Sequence, residues 1–133
     1  MAEISNLTQE KVSEKKLKKL VEVVLRKENN KGKNLSIVLV SPQRMRKLNK
    51  THRGKDKATN VLAFSGEKEA LGEIVLCPSV IKKDALEYKI SFQKAFCLMF
   101  VHGLLHLLGY DHKTLKGEIT MIQKEQHYLS LVK

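Results

Sequence analysis

Apolar positions recur along the chain in two spacings, and these predict alternating strands and helices. Runs rich in β-branched residues predict strands at residues 3–7, 35–40, 60–64 and 72–77, with the last two as antiparallel neighbours. Apolar residues three and four apart predict helices at residues 14–27, 42–51, 78–88, 91–108 and 115–132. Helix 91–108 is apolar almost all round, which predicts that it is buried at the centre of the core. The elements together predict an α+β fold, a small mixed sheet covered by helices.

Length and composition are those of a globular protein. The 133 residues, 42% hydrophobic and 29% charged, are expected to form one domain over residues 1–133. The first residues lack the charged and apolar regions of a signal peptide. The longest apolar run, residues 95–108, contains two histidines and a glycine and is too short to cross a bilayer. We therefore expect a soluble, cytoplasmic protein with no membrane partner.

Positive charge is concentrated in the first half of the chain. Of the formal net charge of +11, residues 1–64 contribute +10, from 16 basic and 6 acidic residues, and residues 65–133 contribute +1. In residues 44–57, here called the basic segment, seven cations accompany the single acid Asp56. The cations are Arg44, Arg46, Lys47, Lys50, Arg53, Lys55 and Lys57. This density is typical of a polyanion-binding surface, with a solvated helix face as the alternative. No aromatic residue lies within the segment, so phosphate contact is favoured over base stacking.

Three histidines, His102, His106 and His112, follow the spacing H-x-x-x-H-x-x-G-x-x-H. Because residues four apart lie on one face of a helix, the first two can bind one metal ion side by side. Gly109 allows a left-handed turn at the helix end, which returns His112 as a third ligand. Three neutral imidazoles leave a fourth coordination position open, as in catalytic zinc sites, and nickel or iron would also suit them. The alternative is that the histidines are satisfied residues of the core.

The same histidine spacing occurs in metzincin proteases, where the residue after the first histidine is the general-base glutamate. Here this residue is Gly103, so a zinc peptidase is a weaker alternative. Cys77 and Cys97 do not form a C-x-x-C pair and are expected to be buried, reduced thiols. Either cysteine as a fourth zinc ligand is the less favoured alternative.

The histidine segment HGLLHLLGYDH (residues 102–112) is accompanied by two upstream elements. They are Leu48-Asn49 followed by R-G-K-D-K-x-T-N-V-L-x-F (residues 53–64), and the tripeptide Gly72-Glu73-Ile74. In this order, over residues 48–112, the three elements resemble those of the YbeY family of bacterial endoribonucleases. Two positions depart from the family pattern: Asn60 and Glu73 stand where the family generally has aspartate.

The resemblance implies a zinc-dependent, single-strand endoribonuclease that acts in ribosomal RNA maturation, notably at the 3′ end of the small-subunit RNA, and in ribosome quality control. It implies that His102, His106 and His112 hold one zinc ion, and that Arg53 is needed for RNA processing. Ribosomal RNA and ribosome or small-subunit proteins are the implied partners.

The chemistry expected of such a site is metal-assisted hydrolysis of a phosphodiester, with Arg53 neutralising charge on the scissile phosphate. Asp111 is a candidate general base, and orientation of a histidine ligand is its alternative role. The main alternative for the whole chain is a non-catalytic, zinc-containing, RNA-binding factor in ribosome assembly, in which zinc only stabilises the turn at His112.

Overall fold

Residues 1–132, which the computed structural model describes, form four strands and five helices. The strands are β1 (Ala2–Asn6), β2 (Asn34–Leu39), β3 (Val61–Ser65) and β4 (Ala70–Leu76). The helices are α1 (Glu14–Lys27), α2 (Pro42–Arg53), α3 (Pro78–Glu87), α4 (Phe92–Leu107) and α5 (Leu115–Leu131). Each predicted element is present, with ends that differ by one or a few residues.

The strands form one mixed sheet in the order β1-β2-β4-β3. β1 pairs with β2, and β2 with β4, in parallel, whereas β3 and β4 are antiparallel as predicted. β4 begins two residues earlier than predicted, because a register shift at Asn34 and Leu35 lets Ala70 pair with β2.

The two faces of the sheet pack against different helices. Successive side chains of a strand point to opposite faces. Ile37 and Ile74 accordingly pack in the main core with residues of α1 and α4. Val75 packs on the other face, in a smaller cluster with Met45 of α2. Helices therefore cover a small mixed sheet on both faces, which confirms the predicted α+β fold.

Helix α4 runs through the main core, as its apolar pattern predicts. Phe100 and Leu104 near its middle are fully buried. Among the described residues no single helix is long and apolar enough to span a membrane, and α3 and α4 pass the same test only as a pair bent by 117°. In the second half of α4, His102 and His106 are partly exposed.

Helix α2 extends to Arg53, two residues beyond its predicted end, and this extension places Arg53 in its last turn. The helix ends because Gly54 adopts the left-handed conformation, with φ at 71°, and its N–H donates to the carbonyls of Asn49 and Lys50. Gly54 is therefore the C-terminal stop signal, which the apolar spacing alone did not reveal.

Candidate metal centre

The last turns of α4 and the turn that follows bring the three histidines together. His102 and His106 lie on one face of α4, and Gly109, with φ at 99°, reverses the chain so that His112 returns toward them. One potential ligand atom from each histidine lies within 4.8 Å of the other two. The predicted cluster is present, and it could hold one metal ion.

The spacing of the ligand atoms fits a small divalent cation. The Nε2 atoms of His102 and His106 are 3.2 Å apart. Two imidazole nitrogens at tetrahedral positions around zinc, each about 2.05 Å from the ion, would be about 3.3 Å apart. Three imidazole donors also suit nickel or iron. The spacing of His102 and His106 therefore fits two ligands of one ion, and His112 lies close enough to be the third.

A buried glutamate orients the first histidine. Glu125 of α5 is 7% exposed, and its Oε2 lies 2.5 Å from Nδ1 of His102. This contact favours the ring proton on Nδ1, which leaves the electron pair of Nε2 free to bind a metal. Sequence reasoning missed Glu125, although a signal exists: it shares the buried stripe of α5 with Met121 and Tyr128. A buried acid in an apolar stripe requires a polar partner.

The environment of His106 keeps its imidazole neutral. Burial lowers the pKa of His106 below its usual value, and the neighbouring His102 and His112 lower it further. Asp111 and Glu125 act in the opposite direction with smaller effects. A lowered pKa favours the unprotonated ring at neutral pH, and only that form binds a metal ion.

A second carboxylate secures the turn between His106 and His112. Glu28, which follows α1, accepts hydrogen bonds from the hydroxyls of Tyr110, at 2.7 Å, and of Tyr128, and from the ammonium of Lys124, at 3.1 Å. Burial acts to raise the pKa of Glu28, but these donors outweigh it and the pKa is lowered. The hydroxyl of Tyr110 is thus bound to Glu28, which ties the turn to α1 and α5.

The three histidines line a cleft of about 750 Å³ that also contains part of the basic segment. Arg53, Lys55 and Lys57 line the same cleft. Asn49, which is 3% exposed, donates from Nδ2 to the carbonyl of Lys57 at 2.9 Å and so fastens the loop after α2 to the helix. The candidate metal ligands and three cations, far apart in sequence, therefore share one cavity.

Arg53 is held in position by β3. Its Nη2 donates to the carbonyl of Ala63 at 2.9 Å, and its guanidinium carbon lies 5.2 Å from the centre of the Phe64 ring. Within the described residues this is the one hydrogen bond of the guanidinium, which carries five N–H donors. Donors therefore remain for an anion in the cleft.

The other four cations of the basic segment lie outside the lining of the cleft. Arg46 forms an ion pair with Asp56, with 2.7 Å between Nε and Oδ1. The hydrogen bond from Arg46 lowers the pKa of Asp56, and Lys50 adds a smaller effect. Arg44 and Lys47 line a separate groove beside α2. Five of the seven cations are thus divided between two concave surfaces, and Arg46 and Lys50 line neither of them.

Three further positions that stand out in the sequence lie in different places. Asp111 is exposed and outside the lining of the cleft, and its Oδ1 accepts a hydrogen bond from the backbone N–H of Lys113 at 3.1 Å. Asn60 lines the cleft, and its Nδ2 donates to Oδ2 of Asp84 at 3.3 Å. Glu73 is exposed on β4. Asp84 therefore places a carboxylate against the amide that stands where the family generally has aspartate.

Close packing and burial bear on two weaker alternatives. A Cβ atom at Gly103 would lie 3.2 Å from methyl groups of Ile74 and of Val61, so any side chain there, a glutamate included, requires the helix or the sheet to shift. Cys77 and Cys97 are buried, as predicted, and neither joins the histidine cluster among the described residues. Burial raises the pKa of both thiols, which favours the protonated form over a metal-binding thiolate.

Known proteins are similar to this chain in sequence and in fold. The family model described as Endoribonuclease YbeY matches residues 3–133. The protein named Endoribonuclease YbeY from Thermotoga neapolitana is 37% identical over 115 residues, which cover 86% of this chain and 76% of that protein. The protein of the same name from Bdellovibrio bacteriovorus is 40% identical over 108 residues, which cover 80% and 69%. The solution structure of TM1509 from Thermotoga maritima superposes with a TM-score of 0.70 at 34% identity, covering 95% of this chain and 86% of that one. The chain therefore belongs to the YbeY family of endoribonucleases.

Proposed function

We propose that this endoribonuclease cuts single-stranded RNA during ribosomal RNA maturation, at the 3′ end of the small-subunit RNA, and serves ribosome quality control. The observation that supports this best is one cleft lined by the three-histidine cluster and by Arg53, Lys55 and Lys57. Phosphodiester hydrolysis needs a group that activates water or polarises a phosphoryl oxygen, and cations for the phosphate. The three histidines would hold a metal that supplies the first, and the cations line the same cavity.

Zinc is the metal that we propose for the cluster, held by His102, His106 and His112. Bound zinc would act as a Lewis acid and lower the pKa of a coordinated water. Glu125 holds the ring of His102 in the metal-binding orientation, and Glu28 holds the turn before His112 through Tyr110. The protein therefore fixes the ligand geometry before the substrate arrives.

In this proposal Arg53 binds the scissile phosphate. Its contacts with Ala63 and Phe64 restrict the side chain, so little conformational entropy is lost when a phosphate binds. Lys55 and Lys57 supply further positive charge along the same cleft. The contact of Asp111 with Lys113 supports a role for this carboxylate in shaping the turn that carries His112, and a general base is its alternative role.

The proposed setting is the cytoplasm, with ribosomal RNA and ribosome or small-subunit proteins as partners. The net charge of +11 suits an RNA substrate and disfavours a small neutral one. The close packing at Gly103 also disfavours a peptidase of the metzincin type.

The test combines metal content with cleavage of single-stranded RNA that carries the 3′ end of the small-subunit RNA. We expect about one zinc per chain in the wild type. His106→Ala should lose metal and cleavage with an unchanged circular dichroism spectrum, whereas His127→Ala, in an exposed position of α5, should keep both. Arg53→Ala should keep the metal and lose cleavage.

Two results would redirect the proposal. Zinc binding without cleavage by the wild type would favour the non-catalytic assembly factor, and unfolding of His112→Ala would support that outcome. Wild type without any bound divalent metal would contradict the metal site itself.

A further inference from the structure

The second groove, beside α2, takes no part in the proposed cleavage step. It has a volume of about 650 Å³ and is lined by Arg44, Lys47, Thr51 and His52, among others. It shares no lining residue with the metal cleft. Two concave basic surfaces thus flank one helix.

The ring of Phe64 separates the two surfaces. His52, from the second groove, packs edge-on against this ring, with 5.0 Å between ring centres. Arg53, from the metal cleft, lies over the same ring at 5.2 Å. The grooves are therefore adjacent at the C-terminal end of α2.

Four cations connect the grooves across the exposed face of α2. Arg44, Lys47, Lys50 and Arg53 are spaced three residues apart. On an α-helix, three residues rotate by about 300° around the helix axis, which is about 60° less than a full turn, and rise by about 4.5 Å. The four side chains therefore form an oblique stripe, here called the α2 stripe, which begins at the second groove and ends in the metal cleft.

The charge of the α2 stripe is not cancelled within the described residues. The fifth cation of this helix, Arg46, lies off the stripe and is paired with Asp56. None of the four stripe residues forms an ion pair in the part of the chain that the structure describes. Cations three residues apart on a helix are neighbours and repel each other, and an anion lying along the stripe would relieve this repulsion.

We propose that the α2 stripe and the second groove bind the RNA segment that flanks the cleaved bond. This inference rests on the proposed function, because it assumes that the scissile phosphate lies in the metal cleft. The backbone then crosses α2 over Lys50 and reaches Arg44 and Lys47. The recognised feature is a row of phosphates, so the segment is bound through its charge and extended length and not through its bases.

The test compares two lengths of 5′-labelled, 2′-O-methylated single-stranded RNA, of about 6 and about 18 nucleotides, by fluorescence anisotropy at several salt concentrations. The variant is Arg44→Gln with Lys47→Gln, which removes two charges from exposed positions. The matched control is Lys18→Gln with Lys19→Gln on α1, which packs on the opposite face of the sheet.

We expect the double variant to bind the long RNA about tenfold more weakly at 0.15 M salt, with a log–log salt slope reduced by about 1.4, since each phosphate contact on a single strand contributes about 0.7. The loss for the short RNA should be several-fold smaller, and the control should match the wild type at both lengths. Equal losses for both lengths, or no loss for the long RNA, would overturn the inference. Failure of the proposed function would look different: the wild type would not cleave RNA, whatever the length dependence of binding.

Discussion

The contact between Glu125 and His102 leads to a prediction in which metal-free and metal-loaded protein respond differently. Glu125→Gln keeps the size of the side chain and an oxygen that can accept the Nδ1 proton of His102. It removes a charge from a position that is 7% exposed. That charge is costly to bury in the metal-free protein and favourable beside a divalent cation. The substitution should therefore weaken metal binding more than it weakens the fold.

The expected magnitude follows from the position of the carboxylate behind a metal ligand. Loss of such a partner typically costs 10–100-fold in metal affinity, which corresponds to about 1.4–2.7 kcal/mol. At saturating metal the same difference appears in the free energy of unfolding of the loaded protein. Without metal, the hydrogen bond survives and a buried charge is gone, so we expect a change of less than about 1 kcal/mol.

The assay is a competition titration of zinc against a chelator, combined with urea unfolding with and without zinc. Glu118→Gln is the matched control, because Glu118 is an exposed acid of the same helix, in its first turn. It should leave the zinc affinity within about twofold of the wild type, since only a weak interaction with the helix dipole is lost. The reasoning is refuted if Glu125→Gln binds zinc as tightly as the wild type, or if it loses the same stability with and without metal.

Three more predictions concern the frame of the site, and urea unfolding measures each of them. Gly72→Ala should destabilise the fold by more than about 3 kcal/mol, because Gly72 has φ at 150° and an added Cβ would lie 2.2 Å from the carbonyl oxygen of Phe64. Asn49→Ala should cost about 1–3 kcal/mol and weaken RNA binding, because it leaves the carbonyl of Lys57 without its partner and frees the cationic loop. The lowered pKa of Glu28 means that its contribution to stability is complete above about pH 4.5, the ordinary value, and is lost as the pH falls through the lower folded value. The wild type should therefore lose stability relative to Glu28→Gln over that acid range.

Each of these three has a clear contrary result. If Gly72→Ala leaves the midpoint of urea unfolding unchanged, β4 relaxes around the added methyl group. If Asn49→Ala binds RNA as tightly as the wild type, the position of the loop that carries Lys55 and Lys57 does not affect RNA binding. If the free energy of unfolding of the wild type and of Glu28→Gln changes with pH in the same way, the carboxylate has the same pKa in the folded and the unfolded state.

The histidine cluster could be predicted from the sequence because its geometry is local. His102 and His106 are one helical turn apart, and Gly109 supplies the reversal that returns His112. Helix periodicity and the conformational freedom of one glycine are sufficient to bring these side chains together. The central helix was predictable for the same reason, since its apolar residues specify burial without reference to the partner.

The carboxylates that support the ligands could not be predicted in the same way. Glu125 lies 23 residues from His102 and Glu28 lies 82 residues from Tyr110. Their pairing depends on how α1, α4 and α5 pack, which no short-range spacing encodes. The division of the basic segment has the same origin: the burial of Met45 sets which side of α2 faces the solvent, and Asn49 fastens the loop that carries Lys55 and Lys57. Charge density alone predicted the basic segment, but it did not predict which of its cations line the cleft and which line the second groove.

Strand β3 contacts both Arg53 and helix α4, which carries His102 and His106, and so helps to set their relative positions. The carbonyl of Ala63 in β3 accepts a hydrogen bond from Arg53. A methyl group of Val61, also in β3, would lie 3.2 Å from a Cβ atom added at Gly103. Gly103→Ala should therefore push α4 away from the sheet by a few tenths of an ångström and move the histidines relative to Arg53. We expect retention of one metal per chain with kcat reduced by about tenfold or more, since misplacement by about 1 Å can cost a hundredfold. Loss of the metal instead would mean that the displacement distorts the ligand cluster itself, and unchanged kcat would mean that Ile74 and Val61 yield to the methyl and the spacing does not depend on this glycine.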